Sequence, residues 1–259
     1  DEIRYSWKHV HSEDRITLPA RRQFGVQIES DWNRALRDAV AGVKGASGKG
    51  RLGLVISPML SCEDAFHLMH AAIALDPRAV IAMGPVPKSG QDKVFPAGAK
   101  ETDPKAYKVY AEKAPNARGV KRVIDALAMT DACRTASIVP FEQFITQLKS
   151  GAVASAIVTG NYPSNWITDD LLKACGEVGG GRFIIAIDTL KNPLTARADI
   201  VLPGCTWLEK AGTFQNARDM VQAFEQAIPQ VGMSKNEAQI AIDLQATLAG
   251  AAAPLEDSQ

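Results

Sequence analysis

Residues 51–84 constrain the fold more than any other stretch. "RLGLVIS" at 51–57 is a short apolar run stopped by Pro58. "SCEDAFHLMHAAIAL" follows, with Ser61 placed to cap a helix and acids in its first turn, and "RAVIAMG" at 78–84 is a second apolar run. Strand, helix and strand at this spacing make a βαβ unit, and such a unit requires a parallel sheet. The pattern returns further on. "ASAIVTG" reads as a strand, "TDDLLKACGEV" as a helix capped by Thr168, "RFIIAIDT" as a strand and "DIVLPG" as a further short strand. The fold class is therefore α/β, with strands 52–57, 79–83, 154–159 and 183–187 in a mostly parallel sheet carrying helices on both faces. Residues 212–224 read as a separate antiparallel edge.

Further helices are expected where apolar residues recur at helical spacing. One has Trp32, Ala35, Leu36, Ala39, Val40 and Val43 on one face, capped by Ser30 or Asp31. Others cover "ARGVKRVIDALAMT", "PFEQFITQLKSG" with Pro140 near its start and Gly151 at its C-cap, and "SKNEAQIAIDLQATLAG" with Ser234 as cap. "ASIV" reads as a short strand. Between Pro85 and Pro115 the apolar period disappears, which predicts a long loop with one helical turn near Lys105–Lys113. The organisation expected is a leading segment 1–30, a first α/β lobe 31–130, a second lobe 131–250 and a frayed tail 251–259.

Composition excludes several functions. The 259 residues carry 29 basic and 29 acidic side chains, so the basic excess of a nucleic-acid or anionic-membrane surface is missing. No run approaches the ~20 apolar residues that cross a bilayer. The chain opens at Asp1 without an initiator Met or a signal peptide and reads as a piece of a longer protein. Cys62, Cys133, Cys175 and Cys205 form no C-x-x-C cluster, so reduced and mostly buried thiols are expected rather than an iron–sulfur or structural metal site. His9 and His11 would share one side of a strand and His67 and His70 one helical face, but neither pair has further ligands. "GASGKG" at 45–50 and "GGGR" at 179–182 precede their strands, whereas phosphate-cradling loops follow strands, so both read as connections.

In open parallel sheets, ligands lie beyond the carboxyl ends of the strands. Those ends are Ser57 to Ser61, Gly84, Thr159 to Asn161, Asp188 to Thr189, and Gly204 to Thr206. Their Gly, Ser, Thr and Asn content suits a nucleotide-like ligand, and it suits ordinary helix caps equally well.

Five stretches together resemble one superfamily. "DRITLPARR" with "IESDWNRAL" resembles the segment after the iron–sulfur region of molybdopterin oxidoreductases and of the large iron–sulfur subunit of respiratory complex I. "GLVISPMLSCEDAFHLMHAA", "APNARGV" and "FEQFITQLKSGAVASAIVTGNYP" resemble successive segments of the same proteins. "ARADIVLPGCTWLEKAGTFQNARDMVQ" resembles their most specific signature. The resemblance implies the carboxy-terminal region of the large subunit of complex I, an NADH-quinone oxidoreductase, acting as a structural and docking module with a degenerate molybdopterin-type site. That site would comprise Ser57, Gly160, Asn161, Asp188, Gly204, Thr206, Asn216 and Arg218, with no catalytic residue and no metal ligand. It further implies no cofactor in this chain, iron–sulfur clusters in the full-length protein, other subunits of a respiratory complex as partners, and a cytoplasmic location peripheral to the inner membrane. The alternative is a working lobe of a formate-dehydrogenase-like enzyme that binds molybdopterin guanine dinucleotide; a third reading is a plain nucleotide-binding module. Two departures favour the degenerate site. Asp219 and Met220 stand where cofactor-binding members carry Gly and Arg, and Tyr162 interrupts the usual Gly-Asn-Pro turn.

Overall fold

The computed structural model describes residues 7–250. Its centre is an eight-stranded sheet. The strands are β1 (Ala20–Gln23), β2 (Val26–Glu29), β3 (Arg51–Ile56), β4 (Val80–Met83), β7 (Ser137–Ile138), β8 (Val153–Thr159), β9 (Phe183–Asp188) and β10 (Ile200–Pro203), in the order β2-β1-β10-β9-β8-β3-β4-β7. All pairings from β10 to β7 are parallel, and β1 joins β10 antiparallel. The four strands expected from spacing are thus parallel. Strands from 31–130 and from 131–250 lie side by side in this one sheet.

Alternation along each strand explains why the runs are apolar throughout. Leu52, Leu54 and Ile56 of β3, Ile157 of β8 and Ile185 and Ile187 of β9 face one core. Helices α2 (Trp32–Ala46), α3 (Cys62–Leu75), α4 (Ala117–Ala128) and α8 (Glu237–Leu248) contribute Leu36, Leu68, Ile124 and Leu244 to it. Val55, Val158, Ile184 and Val201 face the other core, shared with α5 (Phe141–Ser150), α6 (Asp169–Cys175) and α7 (Pro193–Arg197) through Phe144, Leu171 and Leu194. A strand buried on both faces has no polar side to show.

The helix termini follow local chemistry. Ser61 and Asp64 form a full capping box at α3, Asp31 caps α2 through the Arg34 N–H, and Thr168 caps α6. Gly151 ends α5 in the left-handed region at φ 82°. At α8 the cap is Asn236, not Ser234. The Ser234 hydroxyl is instead committed to the Val231 carbonyl and the Glu209 carboxylate. The helical turn expected near 105–113 is also corrected: β5 (Lys93–Phe95) and β6 (Tyr107–Val109) form an antiparallel hairpin. Its cross-strand Phe95 and Tyr107 rings stack 5.4 Å apart, a non-local contact that outweighs helix propensity. Likewise His9 lies on the short helix α1 (Trp7–Val10), not on a strand. The antiparallel edge expected over 212–224 is present as the hairpin β11 (Gly212–Gln215) and β12 (Val221–Phe224). The expected tail 251–259 lies outside the described residues.

Candidate functional site

The chain runs from β3 outward to β4 and β7, then returns to β8 on the other side of β3 and continues to β9 and β10. The order of strands therefore reverses between β3 and β8, and the crevice beyond their carboxyl ends is where an open α/β sheet takes a ligand.

Ser57, Gly160, Asn161, Asp188, Gly204 and Thr206 all lie along this end of the sheet, and most are joined by hydrogen bonds. The Ser57 N–H donates to Thr159 Oγ1 at 2.8 Å, and that hydroxyl donates to the Val55 carbonyl at 2.9 Å. The Asp188 carboxylate accepts from the N–H groups of Asn161 (2.8 Å) and Thr189 (2.7 Å) and from Asn192 Nδ2 (2.8 Å). Burial raises the Asp188 pKa above the ordinary carboxylate value, against the pull of those donors. A Cβ on Gly160 would stand 2.0 Å from Asp188 Oδ2, so only glycine fits there. Asn161 takes φ 67°, which asparagine tolerates, and its Nδ2 donates to the Cys205 carbonyl at 2.8 Å. The Gly204 N–H donates to the Asp188 carbonyl, and Thr206 gives its N–H and hydroxyl to Glu209 at 2.8 and 2.6 Å. These groups satisfy one another.

Tyr162 fills the switch-point crevice. The residue is 3% exposed, and its hydroxyl donates to the Pro85 carbonyl at 2.8 Å. A Cβ on Gly84 would lie 2.7 Å from that hydroxyl, so Gly84 makes the room. The ring stacks on Trp166 at 4.6 Å. Burial, with the Asp188 charge nearby, raises the phenol above its ordinary pKa and keeps it neutral. A cavity of about 240 Å³, lined by Trp166, Asp188, Lys191 and Asn192 among others, remains beside Tyr162.

Asn216 and Arg218 are elsewhere, on the turn between β11 and β12. Asn216 Oδ1 accepts from the N–H groups of Arg218 (2.8 Å) and Met220 (3.2 Å), which shapes the turn, and Arg218 is exposed. Asp219 has φ 61°, the conformation that favours the Gly of the related pattern, and pairs with Arg118 at 3.3 Å. At the switch point these side chains offer a dinucleotide pyrophosphate no free cradle. Tyr162 fills the switch-point crevice, and the donors around Asp188 are already paired.

The signature's charged residues, which spacing alone does not single out, are structural. Arg15 Nη2 donates to both Glu209 oxygens at 2.8 Å, and Lys210 is buried between Asp64, at 2.8 Å, and Glu237. Partners 194 and 146 positions away leave no local signal in the sequence. Asn116 of "APNARGV" is equally buried and ties the Leu60 carbonyl to the Gln215 N–H. The cysteines carry no disulfide; Cys133, Cys175 and Cys205 are buried and Cys62 is half-buried. Burial, followed by the Glu237 charge, pushes the Cys205 thiol up to about 12 and leaves it protonated. Among the described residues no group of His, Cys, Asp and Glu is placed to hold a metal, and no helix is long and apolar enough to cross a membrane.

The sheet is covered on both faces, and β10 ends in Leu-Pro-Gly shortly before the buried Glu209 and Lys210. Residues 104–246, more than half of the chain, match the molybdopterin oxidoreductase family, and the chain belongs to it. It is 34% identical over 73 residues, 27% of this chain, to the putative formate dehydrogenase YrhE of Bacillus subtilis (strain 168), and that match spans 7% of the relative's length. Among solved structures, acetylene hydratase from Pelobacter acetylenicus aligns with a TM-score of 0.58 at 10% identity, over 94% of this chain and 62% of the hydratase. A chain of the formyltransferase/hydrolase complex from Methylorubrum extorquens aligns with a TM-score of 0.48 at 10% identity, over 89% of this chain and 99% of that one.

Proposed function

We propose that this chain is a non-catalytic structural and docking domain within a larger electron-transfer assembly, of the kind carried by the large iron–sulfur subunit of NADH-quinone oxidoreductase. In this reading the iron–sulfur clusters sit outside the chain, its partners are the other subunits, and its location is peripheral to the membrane through them. The observation that carries the reading is Tyr162, which fills the switch-point crevice with a neutral, hydrogen-bonded ring. Asp219 adds a carboxylate where the related pattern has none. Family membership supplies the frame, and the complex I assignment rests on the sequence resemblance. The local identity to a formate dehydrogenase favours a second reading, a lobe that still holds molybdopterin guanine dinucleotide. Molybdenum, tungsten and pterin analysis of the protein purified anaerobically from its native host separates the two. Metal and pterin far below one per chain are expected, and stoichiometric amounts of both would establish the second reading.

A further inference from the structure

The two edges of the sheet are finished differently. At one, β7 is two residues long and Pro140 follows almost at once. At the other, β2 runs Val26-Gln27-Ile28-Glu29 over four residues with no proline, no lysine and no bulge, and Glu29 is the one charge that guards it. Among the described residues no strand pairs with its outer side.

The hydrogen-bonding phase of this hairpin is fixed. The Ser30 N–H donates to the Pro19 carbonyl, and the Arg22 N–H turns away to the Asp199 carbonyl. With the register Arg21↔Ile28 and Arg22↔Gln27, Val26 and Ile28 spend their backbone groups on β1, and Gln27 and Glu29 point theirs outward. On the adjoining face Val26 is 63% and Ile28 36% exposed. Phe24 at the hairpin tip is 95% exposed, and the two-residue turn holds it at φ 51°. An aromatic residue both strained and fully wetted is costly in an isolated chain.

We propose that β2 is a self-association edge, on which a second copy of this chain adds its own β2 antiparallel about a two-fold axis. The inference does not depend on the proposed docking role. Register and charge select the copy. Within β2 the outward groups are those of Gln27 and Glu29; Gly25 on one side lies at φ 81°, and Asp31 on the other, though extended, gives its carbonyl to the Ala35 N–H. An axis at Glu29 would oppose two carboxylates, and an axis at Gln27 would form a single hydrogen-bonded pair. With the axis at Ile28, Gln27 pairs with the second copy's Glu29 twice, giving four hydrogen bonds, no like-charge pair and Ile28 packed on its own counterpart. Phe24 then reaches the start of the other copy's α2, where its exposed ring gains cover. The balanced charge of 29 against 29 offers no net repulsion between copies.

An Ile28→Cys substitution reads the axis directly, since residues facing themselves across a non-hydrogen-bonded pair are close enough for a disulfide. Mild oxidation of Ile28→Cys should give a disulfide-linked dimer, whereas Val26→Cys, opposite Ser30, should not. Sedimentation velocity of the unmodified chain should show dimer with a dissociation constant on the order of 10–100 µM, as befits a small interface. Glu29→Pro deletes an outward N–H that β1 does not use, and should raise that constant at least about tenfold at unchanged circular dichroism. A chain that stays monomeric across ~5–500 µM, or equal cross-linking at positions 26 and 28, overturns the proposal.

Discussion

His9 is the residue whose environment makes the sharpest statement about pH. Its Nε2 lies 2.6 Å from Thr189 Oγ1, and burial, helped by the Arg15 charge, lowers its pKa from 6.5 to about 4. Between these values the unfolded chain binds a proton that the folded chain refuses. Stability is therefore complete above pH 6.5 and falls as pH drops towards 4, with a slope of at most about 1.4 kcal/mol per pH unit. Glu237 acts in the opposite sense. Burial raises it from 4.5 to about 7, so its contribution to stability is lost as pH rises through that window. The native chain shows the sum of the two, and a variant isolates His9. His9→Gln keeps a partner for Thr189 and removes the titration. Its melting temperature should fall less than the native one between pH 6.5 and 4. Parallel curves for the two proteins would assign the acid sensitivity to another group.

Among the elements, the β1–β2 hairpin is held together by a turn its sequence does not favour. Phe24 and Gly25 both have positive φ, at 51° and 81°, the pattern of a type I′ turn, for which Asn-Gly is the preferred pair. Phe24→Asn should stabilise the chain by about 1 kcal/mol, because asparagine tolerates the left-handed region and an exposed ring is removed. Denaturant midpoints measured below micromolar concentration check this free of any association, and an unchanged or lower midpoint would mean that Phe24 has packing value within the single chain. The β11–β12 hairpin offers a contrast, since Asn216 bridges its own turn and Asp219, also in the left-handed region, is paired with Arg118.

For the whole molecule, Lys210 is the clamp that joins distant parts of the chain. It follows β10, and its ammonium group sits between Asp64 of α3 and Glu237 of α8. The ion pairs hold Asp64 below its ordinary value although burial alone would raise it. Replacing Lys210 with Met leaves two carboxylates buried together, a change that typically costs about 3–5 kcal/mol out of a total of roughly 5–15. Urea unfolding should show that loss as a lower midpoint at constant slope. Adding Asp64→Asn and Glu237→Gln should recover most of it, since neutral partners no longer need a counter-charge. A Lys210→Met variant as stable as the native chain would show that the clamp contributes specificity and no net stability.

Local sequence is enough to lay out the centre of the sheet. Runs such as "FIIAID" and "RLGLVI" have no polar face, so they must be covered on both sides, and the caps at Ser61, Asp31 and Thr168 act within three residues. It also places Ser57, Asn161, Asp188, Gly204 and Thr206 along one end of the sheet, because strand ends in a parallel sheet share an end. What those residues do is settled in three dimensions. Tyr162 enters the crevice only because Gly84 leaves room for its hydroxyl, and Asn216 and Arg218 leave the group because β11 and β12 pair with each other and not with the sheet. The hairpin of 93–109 and the buried pairs of Arg15 and Lys210 depend on partners up to 194 positions away. Local periodicity carries information over a few residues, whereas a charge is buried only once a distant opposite charge has been folded against it.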